Sequence, residues 1–331
     1  MNTSSFPSAL QRFFTERLIG QLGASPYTVA SYRDTFRLLL RFATERFKRA
    51  PSELRLEELD ASILGKFLEH LEARRRNSIR TRNTRLSALR AFFRHVSLSE
   101  PAHALQCQRV LAIPAKRHER GPVEFLAEEE ASALVAAPDV QTWMVRRDRA
   151  ILVVALQTGL RNSEITSLRW EDVELRTGAH VRCLGKGRKM RCTPLRPDVL
   201  AVLKEWRSEQ GGKPDDPVFP SSRGGRMSAD ALQRLVAKHV ARAARTRPSL
   251  TEKVVTPHTL RHTAAMSLLR GGVDLTVIAL WLGHESVETT QLYVHADMGL
   301  KEKALAHAGG DGVRPGRYRA PDPLLAFLEG L

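Results

Sequence analysis

Apolar residues recur at intervals of three and four through residues 8 to 48, where Val29, Tyr32, Phe36, Leu39, Leu40 and Phe47 would share one side of a helix. The same spacing predicts a second helix over Leu59 to Arg74 and a third over Ser78 to Val96. In the third, Leu86, Leu89, Phe92, Phe93 and Val96 form an apolar stripe, and Arg80, Arg82, Arg85, Arg90 and Arg94 fall largely off it. Between Leu111 and Val123 the periodicity stops, and Pro114, Lys116, Arg117, Arg120, Gly121 and Pro122 give the composition of a charged linker. A new helical region opens at Phe125-Leu126-Ala127-Glu128-Glu129-Glu130, with acidic residues in its first turn, where they favour the helix dipole. Strand signals are few. The clearest are His180 to Leu184 and Met190 to Leu195, joined by Gly185-Lys186-Gly187-Arg188-Lys189. The pattern predicts a mainly α protein with a small β-sheet: a helical domain over 1–113, a linker over 114–122, a mixed α/β domain over 123–308 and a tail over 309–331.

Composition sharpens this picture. A chain of 331 residues exceeds what one hydrophobic core usually organises, so two domains are expected. The net charge of +16 is uneven: residues 1–120 hold 22 basic and 11 acidic side chains, and the remainder 30 and 25. Neutralising phosphates and releasing their counterions rewards such an excess, so the first third is the stronger polyanion binder. Arg74, Arg75 and Arg76, just before the third helix, extend its basic side, and Arg75, Arg76, Arg80, Arg82 and Arg85 are candidate DNA contacts. No apolar run approaches the roughly 20 residues needed to span a bilayer, and residues 1–11 lack a basic-then-apolar signal, so a cytoplasmic protein without membrane contact is expected. Cys107, Cys183 and Cys192 are too few for a disulfide framework. Even if Cys183 and Cys192 face each other across the hairpin, reduced thiols are expected.

Six side chains suggest chemistry. A phosphodiester under attack gathers negative charge on its non-bridging oxygens, and fixed cationic donors stabilise it. Arginine suits this, because its planar fork binds two oxygens and does not deprotonate. Arg161 stands in Thr-Gly-Leu-Arg, with Glu164 one turn later to orient it or a neighbouring histidine. Thr256 can cap a helix with Pro257 in its first position, which puts His258 in the first turn and Arg261 one turn on. Gly271-Gly272 ends that helix, Asp274 caps the next, and Gly283 ends it, presenting His284. Tyr293, nine residues after His284, is the nucleophile candidate, and His258 can take its proton. Tyr27 and Tyr32 belong to the first helical pattern and Tyr318 to the tail. His258 and His262 at i and i+4 fit a zinc face only in part, since no third ligand stands nearby, and no metal or cofactor is expected. Gly185-Lys186-Gly187 lacks the third glycine of a dinucleotide fingerprint and the Ser or Thr of a P-loop.

In this order and spacing, Arg161, Lys186, His258, Arg261, His284 and Tyr293 resemble the tyrosine recombinase (phage integrase) family, over roughly residues 123–303 with a looser echo in the first hundred. The resemblance implies a core-binding helical domain whose basic helix enters DNA, followed by a mixed α/β catalytic domain. It further implies a site-specific recombinase of Xer or transposon-integrase type, a 3′-phosphotyrosyl intermediate on Tyr293, and Lys186 as the acid protonating the departing 5′ oxygen. Arg188 and Lys189, on the same hairpin, join the candidate DNA contacts. The implied partners are double-stranded DNA, further copies of the chain in a tetramer, and other recombinase subunits. The implied setting is the nucleoid of a bacterium, serving a mobile element or replicon-dimer resolution. Two rival readings share these residues: a type IB topoisomerase, which reseals the same strand, and a DNA-binding regulator without catalysis. Family members pass a C-terminal helix to a neighbour. Here Leu324, Leu325, Phe327 and Leu328 form an apolar segment beyond Gly309-Gly310 that docks either in cis or in trans.

Overall fold

A computed structural model describes residues 5–118, 123–185, 190–284 and 286–296. Lys186, Arg188, Lys189, the end of the expected linker and the whole tail lie outside the described residues. The chain divides into two compact units between residues 120 and 121.

The first unit is helical: α1 (Phe6–Arg12, running on as a π-helical Phe13–Gln21), α2 (Pro26–Phe47), α3 (Ala61–Ala73), α4 (Ile79–Ser99) and α5 (Ala104–Leu111). Where the spacing suggested one helix over 8–48, the chain breaks. Gly23 takes a left-handed φ of 51°, and Ser25 then caps α2, its hydroxyl accepting from the Thr28 N–H at 3.2 Å with Pro26 in the first turn. Ser78 caps α4 in the same way, accepting from the Thr81 N–H at 3.2 Å. The apolar stripe of α4 is the core: Leu86, Leu89, Phe92, Phe93 and Val96 are all buried. Phe6, Phe13 and Phe36 meet Phe92 edge-to-face with centroids 5.7, 5.5 and 5.3 Å away.

The arginines of α4 depart from the sequence expectation. Arg82 is only 6% exposed, and its guanidinium donates to the Pro114 carbonyl at 2.9 Å. Arg85 donates to the Ser31 carbonyl at 3.0 Å and to the Thr35 hydroxyl at 3.1 Å. Neither presents a free face to DNA, because each guanidinium is turned onto oxygen acceptors of its own unit. Arg75, Arg76 and Arg80 are exposed.

The second unit comprises α6 (Glu128–Ala136), α7 (Trp143–Thr158), α8 (Asn162–Ser167), strands β1 (Val173–Glu174), β2 (His180–Leu184) and β3 (Met190–Pro194), then α9 (Pro197–Gln210), α10 (Ala229–Ala243), α11 (Pro257–Arg270), α12 (Leu275–Leu282) and α13 (Glu288–Ala296). Helix α7 runs through the core, with Ile151, Leu152 and Val154 fully buried. The sheet is antiparallel in the order β1-β2-β3, and its first strand carried no sequence signal. Register pairs Cys183 with Arg191 and Cys192 with Arg182, so the two cysteines do not face each other; Cys183 is buried, Cys192 is exposed, and both are free. The expected punctuation after residue 255 holds: Thr256 caps α11, Gly271 ends it, Asp274 caps α12 and Gly283 ends that helix. Among the described residues, no helix is long and apolar enough to cross a membrane.

Candidate active site

Two chain reversals form the floor of the site. Gly159 ends α7 at φ 63°, where a Cβ would stand 2.6 Å from the Leu282 side chain. Gly283 ends α12 at φ 66°, where a Cβ would meet the Arg191 guanidinium at 2.9 Å. Only glycine fits both demands, a left-handed backbone and no side chain. The reversals leave carbonyls without helical partners, and arginines occupy them. Arg261 donates to the Gly159 carbonyl at 2.7 Å and to the Leu282 carbonyl at 2.6 Å. Arg161 donates to the Gly283 carbonyl at 2.7 Å, and the Trp281 indole to the Thr158 carbonyl at 3.1 Å. Residues distant in sequence thus become one rigid seam.

Glu164 anchors the cations. Arg161 caps α8 with its backbone N–H donating to Glu164 Oε2 at 2.7 Å, and its guanidinium donates to Oε1 at 2.9 Å. The sequence left open whether Glu164 serves this arginine or a histidine, and the partner is the arginine. Arg191, which the sequence reading passed over, binds the same carboxylate through 2.8 and 2.6 Å hydrogen bonds and the Trp281 carbonyl at 3.1 Å. Burial by itself would raise the Glu164 carboxyl, but the hydrogen bonds from Arg191 and the Arg161 backbone outweigh it and hold the pKa at about 2. Among the described residues here, one carboxylate faces three guanidiniums, and the surplus charge suits an anion. Arg261 is 2% exposed, and desolvation followed by repulsion from Arg161 brings it down to about 10, still cationic at neutral pH.

The histidines are placed differently from the expectation. His258 lies exposed in the first turn of α11, and the hydroxyl of Tyr293 is instead hydrogen-bonded to His262 Nδ1 at 3.0 Å. The His258 and His262 rings are 4.2 Å apart, centroid to centroid. Among the described residues, no group of three or more His, Cys, Asp or Glu side chains is placed to hold a metal ion. His284 sits just past the end of α12, with its Nδ1 2.8 Å from the Thr290 hydroxyl and its ring stacked on Tyr293 at 6.3 Å. Desolvation, then the charges of Arg261 and Arg161, lowers His284 to about 4. Tyr293 itself is 2% exposed, and burial raises its phenol against the opposing pull of Arg261.

The structure therefore brings Arg161, Glu164, Arg261, His284 and Tyr293 into one place, adds Arg191, His262 and Thr290, and leaves His258 at the periphery. Arg191 had a signal of a kind: it is a charged residue in the middle of a short strand. His262 was visible only as the fourth-residue neighbour of His258.

Comparison with known proteins places this geometry. The phage integrase family profile matches residues 124–299, and that of the phage integrase N-terminal SAM-like domain matches residues 11–97. The putative integrase/recombinase y4rC of Sinorhizobium fredii is 51% identical over 328 residues, covering 99% of each chain. The tyrosine recombinase XerC of Pelobacter propionicus is 34% identical over 288 residues, covering 87% of this chain and 90% of that one. In three dimensions, the XerH site-specific recombinase, solved bound to a palindromic difH substrate in a post-cleavage complex, matches with a TM-score of 0.69 at 22% identity over 86% of this chain and 80% of that one, a likeness of fold.

Proposed function

Since this chain belongs to the phage integrase family of tyrosine recombinases, enzymes that cut and rejoin DNA, we propose that it recombines DNA at specific sites through a 3′-phosphotyrosyl intermediate on Tyr293. The observation that carries the reading is the placement of the Tyr293 hydroxyl beside His262 and His284, within the field of Arg261. The forks of Arg161 and Arg261 hold the non-bridging oxygens of the scissile phosphate, where charge builds as the phenol attacks. His284 adds a donor to the same phosphate. Thr290 fixes the orientation of the His284 ring, as an outer partner commonly does for a working histidine. Lys186, outside the described residues, protonates the departing 5′ oxygen, as the resemblance implies. A 5′ hydroxyl from a second strand then attacks the phosphotyrosine and restores the phosphodiester. The bond energy stays in the covalent link, so neither ATP nor metal enters the scheme.

The partner is double-stranded DNA. Its backbone meets Arg75, Arg76 and Arg80 of the N-terminal unit and Arg188 and Lys189 of the hairpin. Four copies assemble on two duplexes, with the 309–331 tail linking neighbours, and the biological task is movement of a mobile element or resolution of replicon dimers. The relatives named integrase/recombinase and tyrosine recombinase support DNA recombination as the activity these tasks would share. The test is Tyr293→Phe, which removes one hydroxyl. DNA affinity and folding persist, while the covalent protein–DNA adduct on a nicked suicide duplex disappears. An adduct formed by the Phe variant at the native rate overturns the assignment.

A further inference from the structure

We propose that His262 is the group that accepts the phenolic proton of Tyr293 during strand cleavage and returns it during rejoining. This rests on the reading of Tyr293 as nucleophile and assigns the base that the reading lacks.

The geometry selects His262. Its Nδ1 lies 3.0 Å from the Tyr293 hydroxyl, and the two rings meet at 64° with centroids 5.5 Å apart, an edge approach that aims a ring nitrogen at the phenolic oxygen. The other two histidines are engaged elsewhere. His258 packs its ring against His262 from the exposed side, and His284 has its Nδ1 on Thr290. For the phenol O–H to donate along this contact, Nδ1 holds the lone pair, in the neutral imidazole with its proton on Nε2. The surroundings favour the neutral imidazole. Burial first, and then the neighbouring His258 and Arg261, bring His262 down to about 4. Among the described residues, the titratable or charged groups facing it are His258 and Arg261 from α11, His284 after α12, and Tyr293 from α13.

A base this weak does not ionise a buried phenol in the free protein, which protects the nucleophile at rest. A phosphodiester lodged between the guanidiniums brings negative charge that offsets Arg261 and His258, so the imidazole becomes more basic when substrate is present. Proton transfer then accompanies bond formation. The Tyr293 Oη–P bond forms, the P–O5′ bond breaks, the phenolic proton ends on His262 Nδ1, and O5′ leaves with a proton from Lys186. Rejoining reverses each transfer.

The experiment uses the full chain and a suicide duplex, nicked beside the scissile phosphate, built on sequence that the native protein selects from a random duplex pool. Single-turnover adduct formation is measured for the native chain, Tyr293→Phe and His262→Asn, alongside melting temperature and duplex affinity. The asparagine oxygen reoccupies the place of Nδ1 and keeps the hydrogen bond without the basicity. His262→Asn is expected to form adduct at least ~10² more slowly with affinity retained, the usual worth of a positioned base. Fluorotyrosine at position 293, whose phenol ionises more readily, restores at least about tenfold in that variant and changes the native chain far less. A His262→Asn rate within about threefold of native overturns the assignment, as does a loss that fluorination leaves untouched. Should the asparagine variant not fold, fluorotyrosine in the native chain decides: a rise of about tenfold or more there shows a phenol that ionises without a base, and overturns it. A native chain that forms no adduct through Tyr293 would instead sink the recombinase mechanism itself.

Discussion

Glu164 and Arg191 meet carboxylate to guanidinium through hydrogen bonds of 2.8 and 2.6 Å, with both side chains buried, at 6% and 9% exposure. The pair ties α8 to β3, and through Arg161 it sets the angle of a cation in the proposed phosphate site. Removing Glu164 strands Arg191 as a buried charge without its counter-ion, at a cost of about 3–5 kcal/mol, whereas removing Arg191 leaves Glu164 with Arg161 alone.

Arg191→Ala is therefore expected to lower thermal stability markedly. Arg161→Ala, at a more open side chain, should spare the fold and slow adduct formation by ~10² or more, with duplex binding modestly weaker. Melting curves paired with single-turnover cleavage separate the two effects. Equal losses of cleavage at unchanged stability in both variants would count against a supporting role for Arg191.

Replacing the scissile 5′ oxygen by sulfur should rescue Lys186→Ala substantially, because a thiolate leaves without a proton. The same substrate should do little for Arg161→Ala. Rescue of the arginine variant and not the lysine variant would move the acid elsewhere.

The N-terminal arginines divide into two kinds. Arg82→Ala removes the hydrogen bond to the Pro114 carbonyl and should cost about 0.5–1.5 kcal/mol of stability. Arg75→Ala and Arg76→Ala should leave the melting temperature nearly unchanged, weaken duplex binding, and reduce the slope of log K against log salt by about 1 each. A salt slope unaltered by both changes removes those residues from the interface.

Acid should unfold the catalytic unit in two stages. The unfolded chain takes up protons on His262 and His284 near pH ~6.5, whereas the folded chain takes them up only near about 4, so stability falls as pH drops through that window. Glu164 follows the carboxylate rule: its contribution is present above its unfolded value and is lost as pH falls toward about 2. Melting temperature against pH is the measurement. In His284→Asn, the decline between pH ~6.5 and 4 should be shallower than in the native chain.

Deleting residues 309–331 should leave binding to a single site within a few-fold of native and impair synapsis and strand exchange. Recombination by the truncated chain at full rate would show the tail to be dispensable.

The sequence by itself determined the helices, because amphipathic spacing and capping are local. Thr256-Pro257, Asp274 and Gly283 mark their helix ends through backbone needs that a few neighbouring residues satisfy. It also carried the set Arg161, Arg261, His284 and Tyr293, since their order and spacing stand in the chain whatever their distances in space. The break at Gly23 to Ser25 was local too, but hidden by apolar residues that keep the helical period on both sides. What only the tertiary structure decided were pairings across long loops. Arg82 reaches Pro114, Arg191 reaches Glu164 and Trp281, and the Tyr293 hydroxyl finds His262. One turn along α11 separates His258 from His262. Both are available to a tyrosine in the sequence, but with α13 packed against α11 the half-buried His262 meets the Tyr293 hydroxyl while the His258 side chain is exposed. Burial keeps the His262 imidazole neutral, and its direction is what fits it to the proposed proton transfer. Neither is a property of the chain until its helices have packed.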